Sequence, residues 1–235
     1  MPRRARIVVP GCAHHVTQRG NRQANTFGDD EDRIHYLRLL RERATVYGVL
    51  IWVYTLMTNH IHGIVVPPSE KALSETFRDT HSVYGQWFNK KYGLSGHLWQ
   101  GRFYSCVLDD AHLWTAVRYV ERNPVRAHMV DRAEDYRWSS AHAHVLGKTD
   151  PWLDPGLPLI GSIGNWSEWL AAEDIADELQ AIRTCTARDI PMGDDVFVSQ
   201  LEAKYSRPLR PQKRGRKPQR EDKDESKQGN LKFFE

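Results

Sequence analysis

The sequence predicts an α+β domain in which an antiparallel sheet follows the order β-α-β-β-α-β. Three observations predict it: short runs rich in β-branched and aromatic residues, two long segments with apolar residues at helical spacing, and a two-residue turn between the second and third strand runs.

The chain opens with a basic segment carrying a Pro10-Gly11 turn, and His14 to Arg19 forms the first strand, ended by Gly20. Asp29 or Asp30 can cap the first helix, in which Ile34, Leu37, Leu40, Ala44 and Tyr47 share a face until Gly48. Val49 to Met57 is the second strand. Thr58-Asn59 turns it into the third, which carries His60-Ile61-His62 and ends at Pro67-Pro68. Ser69 caps a second helix whose Leu73, Phe77, Tyr84, Trp87 and Phe88 form a core stripe before Gly93. His97 to Leu108 is the fourth strand, completing the split βαβ order of ferredoxin-like domains with helices on one face of the sheet.

Asp109 or Asp110 starts a further helix that turns Leu113, Ala116, Val117 and Val120 toward the sheet and ends at Pro124. Residues 1–130 make up this domain. Residues 131–203 form a helical extension, with a short helix opening at Tyr136–Ala141 and helical spacing over Ser167–Arg183 and Asp194–Tyr205. Residues 204–235 have the composition of a disordered tail, basic and then acidic.

The net charge of +3 over 235 residues conceals a segregation. Residues 1–22 carry five Arg and no acid, and residues 203–220 carry eight Lys or Arg and no acid. Residues 23–202 hold 17 basic against 25 acidic residues. Basic ends suit a polyanion such as nucleic acid, although a solvated basic tail without a partner has the same composition. Three widely spaced cysteines, Cys12, Cys106 and Cys185, match neither a disulfide framework nor a zinc knuckle and suit a reducing cytoplasm. No apolar run approaches the roughly 18 residues of a membrane span.

In a strand, His60 and His62 project from one face while Ile61 points the other way into the core. Two imidazoles so placed can be presented to one cation. Taken alone, the pair reads more readily as partly exposed strand histidines. Tyr119 and Asn123, four residues apart on the later helix, lie one turn from each other. His142-Ala143-His144 repeats the histidine spacing, but in a helix residues two apart diverge, and Ala143 is no bulky anchor.

Together these residues resemble the HUH single-tyrosine nucleases, in which U is the bulky apolar residue, here Ile61. More closely, the chain resembles the bacterial REP-associated tyrosine transposases, relatives of the single-strand insertion-sequence transposases. The stretches carrying the resemblance are His15 to Arg22, Met57 to His62, Leu98 to Phe103, Arg118 to Ala127 and Tyr136 to Ser140, in the family's order. The resemblance implies metal-dependent cleavage and rejoining of single-stranded or hairpin DNA, with Tyr119 as the nucleophile and a 5′-phosphotyrosine intermediate. It places Mg²⁺ or Mn²⁺ on His60, His62 and Asn123, although close relatives carry Gln at the last position. A tyrosine phenol is mostly protonated at neutral pH, so attack requires a base or water that the residues do not identify. A hairpin-binding protein that does not cut is the competing expectation, and a monomer and a dimer remain equally open.

Arg19, Arg22, Arg102, Arg122 and Arg126 are candidates for DNA contacts, because guanidinium forks suit phosphates and guanine edges. Lys213, Arg214 and Arg216 belong to a stretch that resembles an interrupted AT-hook and reads first as a phosphate clamp. Gln228, Leu231 and Phe233 have the spacing of bacterial sliding-clamp-binding peptides. The whole fits a cytoplasmic, nucleoid-associated protein.

Overall fold

β1 (His14–Arg19) is the spine of the sheet, pairing antiparallel with β3 (His60–Val66) on one side and β4 (Tyr104–Val107) on the other. With β2 (Leu50–Leu56) at one edge, the order is β2-β3-β1-β4 in a computed structural model that describes residues 5–158 and 163–210. Gly20 ends β1 for a steric reason: a Cβ there would lie 2.1 Å from the Ala24 carbonyl oxygen.

α1 (Asp30–Tyr47) begins in a reciprocal capping box, with the Asp29 carboxylate on the Asp32 N–H and the Asp32 carboxylate on the Asp29 N–H. It ends at Gly48, whose φ of 70° is the left-handed cap that glycine adopts without strain. α2 (Ala72–Tyr92) starts later than Ser69 suggested, although the Ser69 hydroxyl still accepts from the Ala72 N–H at 3.3 Å. Leu73, Phe77, Tyr84 and Phe88 of α2 pack with Tyr36, Leu37 and Leu40 of α1 on Val16, Tyr54, Ile61 and Val65 of the sheet.

The fourth strand is shorter than the predicted His97–Leu108. Residues 97–103 form a loop in which Gly101 takes a positive φ of 141°, and Gly96 just before it takes one of 90°. β1 ties this loop down, because Arg19 O accepts from the Gln100 N–H at 2.9 Å and Gln18 Nε2 donates to Gly101 O at 2.7 Å.

Helices cover both faces of the sheet, not one. The second face exposes Val53, Ile64, Val66 and Cys106, and these apolar side chains are buried by α3 (Asp110–Glu121), α6 (Trp166–Ala171) and α7 (Ala176–Arg188). The residues read as an extension therefore share a hydrophobic core with the sheet. The helix expected over Ser167–Arg183 is broken at residues 172–175, where Asp174 turns to meet three arginines of the α3 region.

Pro124 does not simply end α3: it sits in the first turn of a short α4 (Asn123–Arg126). The Val120 carbonyl, which Pro124 has no N–H to reach, accepts from the Thr55 hydroxyl of β2 at 3.0 Å. In α5 (Ala141–Leu146), His144 turns inward to Glu121 at 2.6 Å while His142 is exposed, so the second His-x-His diverges as expected. α8 (Asp195–Tyr205) packs its Val198 and Leu201 with Ile7, Val9 and Leu209, and the Tyr205 hydroxyl donates to Val8 O at 2.9 Å. Residues of the two basic ends thus meet in one cluster. Lys213, Arg214, Arg216, Gln228, Leu231 and Phe233 lie outside the described residues.

Candidate active site

Strand alternation sets up the site. Ile61 is 2% exposed in the core beneath α1 and α2, and His60 and His62 project from the opposite face of β3. In register, Thr17 lies opposite His62 and Arg19 opposite His60. α3 crosses this face by burying Leu113, Ala116, Val117 and Val120, which brings the Tyr119 ring against the histidines. Tyr119 meets the His62 ring edge-on at 5.6 Å between centroids and the His15 ring at 5.5 Å.

A cleft of about 630 Å³ is lined by His60, His62, Tyr119, Asn123 and Arg19 together. Its other walls come from His15, Thr17, Gln18 and Gln100, which lie in stretches that carry the resemblance but were given no role, from the strand residue Tyr104, and from Arg183 and Thr186. Period-two alternation from His62 and Arg19 could have pointed to Thr17 and His15. Arg183 and Thr186 belong to α7 and carry no local signal.

The imidazoles are neutral at pH 7. Burial and the nearby Arg19 charge pull the His60 pKa down to about 4, against a hydrogen bond to Asn123 that raises it. Burial above all, with the neighbouring His60, His15, Arg126 and Arg19 opposing a further positive charge, holds His62 well below the usual histidine range. His60 Nδ1 lies 2.7 Å from Asn59 Oδ1, and the Asn59 amide nitrogen donates to Gln23 O, so Oδ1 is the acceptor. His60 therefore carries its proton on Nδ1 and leaves the Nε2 lone pair unprotonated.

Among the described residues no three His, Cys, Asp or Glu side chains form a metal-holding group. The donors offered are two neutral imidazoles and the Asn123 amide beside His60. Such a set fits a six-coordinate divalent ion that takes its remaining oxygens from phosphate and water, not a closed structural zinc site.

The arginines part company. Arg19 is exposed at the cleft and Arg22 is exposed just beyond β1, whereas Arg102 lines a separate cavity of about 410 Å³ with Arg6 and Arg78. Arg122 and Arg126, the other two candidates, are engaged within the chain. Arg122 is 9% exposed, bonded to Leu170 O and paired with Asp174 at 3.0 Å. Arg126 pairs with Asp174 at 3.4 Å and lies over the Tyr119 ring. The α6–α7 connection supplies the carboxylate that both guanidiniums face, and the buried Arg122 Nε meets it as an ion pair without hydrogen-bond geometry.

An antiparallel sheet that sets two histidines and a helix-borne tyrosine around one cleft defines an α+β protein with a candidate phosphoryl-transfer site. The profile of the family described as "Transposase IS200 like" matches residues 8–123, and over that span the chain belongs to the IS200-like transposase family. The match takes in the histidine pair and Tyr119. The fold is similar to that of a REP-associated tyrosine transposase solved with a REP hairpin, at a TM-score of 0.53 and 20% identity, covering 74% of this chain and 99% of that one. A candidate transposase from Deinococcus radiodurans R1 aligns at a TM-score of 0.37 and 13% identity, over 52% of this chain and 97% of its own, too distant to carry an argument. No curated protein matches the chain. Among the described residues no helix is long and apolar enough to cross a membrane.

Proposed function

We propose that this transposase is a metal-dependent single-strand endonuclease and strand transferase that acts beside DNA hairpins through a 5′-phosphotyrosine. The observation that carries the reading is the edge-on approach of the Tyr119 ring to His62 inside the same cleft as His60 and Asn123. His60, His62 and Asn123 would hold Mg²⁺ or Mn²⁺, which when bound supplies Lewis-acid polarisation of the scissile phosphate.

The Tyr119 oxygen attacks phosphorus, its proton passing to water. The new bond joins phosphorus to the phenolic oxygen, and the bond to the 3′ oxygen breaks to release a 3′-hydroxyl. Phosphodiester energy is kept in the protein–DNA link, so a DNA 3′-hydroxyl can later displace Tyr119 without a nucleotide cofactor. Arg19, exposed where it lines the cleft, would meet a phosphate of the strand. Likeness to a protein solved with a REP hairpin supports hairpin DNA as the partner.

The test is incubation with a labelled hairpin oligonucleotide and Mg²⁺ or Mn²⁺. Tyr119→Phe should keep binding and lose the covalent adduct. Cleavage that persists in Tyr119→Phe would sink the assignment, and binding without any cleavage by the unaltered protein would favour a hairpin-binding role.

A further inference from the structure

We propose that His15 and Thr186 are positioning residues that hold His62 as the Nδ1-protonated tautomer, with its Nε2 lone pair turned toward the cleft. The proposal rests on the reading of His62 as a metal ligand.

Sheet register brings the two histidines together. Thr17 of β1 lies opposite His62, so His15, two residues back on the same face, is its diagonal neighbour. The two rings lie nearly coplanar, edge to edge, with 5.1 Å between centroids and 5° between their planes. His15 Nε2 lies 2.9 Å from His62 Nδ1, and on its far side His15 Nδ1 lies 2.8 Å from the Thr186 hydroxyl. His15 is 1% exposed, so solvent does not replace either partner.

A neutral imidazole has one N–H, so the three groups can order their protons in two directions. In one, His62 donates from Nδ1 to His15 Nε2, and His15 donates from Nδ1 to Thr186. In the other every bond is reversed, and His62 presents an N–H to the cleft, where it cannot bind a cation. The Thr186 hydroxyl, whose one described partner is His15, can accept as well as donate, and only the first direction leaves an unprotonated His62 nitrogen for a cation.

The same logic operates at His60, where Asn59 Oδ1 plays the part of His15. Metal-ligating histidines commonly depend on such a partner for tautomer and ring orientation. Thr186 is 171 residues from His15 in the chain, so in this proposal α7 completes the site.

The experiment has two readouts that do not require catalysis. Long-range ¹⁵N NMR of the metal-free full chain should find His62 protonated on Nδ1; protonation on Nε2 overturns the proposal. Mn²⁺ titration followed by EPR should show that His15→Phe, which keeps a flat ring and removes the acceptor, weakens binding by about 10–100-fold. His15→Gln, which restores an acceptor, should recover most of that loss, and Thr186→Val should lose less than His15→Phe. Unchanged Mn²⁺ affinity in His15→Phe, with binding abolished in His62→Ala, would remove the positioning role and leave the metal reading intact. Unchanged affinity in His62→Ala would remove the metal reading itself.

Discussion

The guanidinium of Arg126 lies 4.5 Å from the centre of the Tyr119 ring and donates to the Tyr119 backbone carbonyl. One side chain thus grips the proposed nucleophile by its ring and by its main chain. Asp174 holds the guanidinium from the other side. Negative charge grows on the phenolic oxygen during attack, so a cation over the ring favours the transition state more than the neutral phenol.

Arg126→Gln should therefore slow formation of the covalent adduct by about tenfold, the size of a partly desolvated cation–π contact of up to about 2 kcal/mol. Affinity for the oligonucleotide should change far less. Single-turnover cleavage at saturating DNA measures the first, and a binding titration the second. An unaltered rate would show that Arg126 only packs.

Asp174 gathers Arg118, Arg122 and Arg126 at 4.0, 3.0 and 3.4 Å. Asp174→Ala leaves the buried Arg122 charge without its carboxylate, which should cost about 3–5 kcal/mol in urea unfolding. Arg122→Met added to that variant should recover part of the loss. If the double variant is no more stable than the single one, the stranded charge is not the cause.

Glu121 is fully buried and accepts from Ser140 Oγ at 2.6 Å and Trp166 Nε1 at 2.9 Å, with His144 Nδ1 at 2.6 Å. It joins α3, α5 and α6 two residues beyond Tyr119. Glu121→Ala orphans three buried polar groups and should destabilise by about 3–5 kcal/mol. Glu121→Gln should cost less, because one amide oxygen still accepts. Equal losses for the two variants would contradict a hydrogen-bonding role.

Stability should fall in mild acid. Burial drives the pKa of His14 down to about 4 and that of His81 to about 3, from an ordinary 6.5. As pH falls through 6.5 the unfolded chain takes up protons that the native state resists until about 4. The stabilisation is therefore complete above 6.5 and drains away below it, at up to about 1.4 kcal/mol per pH unit for each such histidine. His81→Gln keeps a polar partner for the Tyr36 hydroxyl, which lies 3.0 Å from His81 Nε2, and should flatten the decline of melting temperature between pH 6 and 4. An unchanged slope would exclude His81 as a contributor.

Local signals were legible wherever the chemistry is local. Asp29, Asp109 and Asp194 cap helices where acidic residues precede helical spacing. The strand period placed His60 and His62 on one face and Ile61 on the other. The length of the fourth strand was not legible, since Leu98, Trp99 and Phe103 have strand-like side chains while Gly96 and Gly101 bend their backbone away. Apolar residues on the second sheet face likewise did not announce which later helices would cover them.

By itself the sequence determined the strand and helix order, the pairing of two histidines on one face, and a tyrosine on a later helix. These follow from periodicities of two and 3.6 residues that operate within a few positions of each other. Only the tertiary structure decided that Arg122 turns inward, that Arg126 grips Tyr119, and that His15 and Thr186 stand behind His62. Each of those contacts joins residues to partners in other elements, chosen by how the sheet and α7 pack and not by any neighbour in sequence. Ionic and hydrogen-bonding groups take the nearest partner that burial leaves them, and that partner is set by the fold.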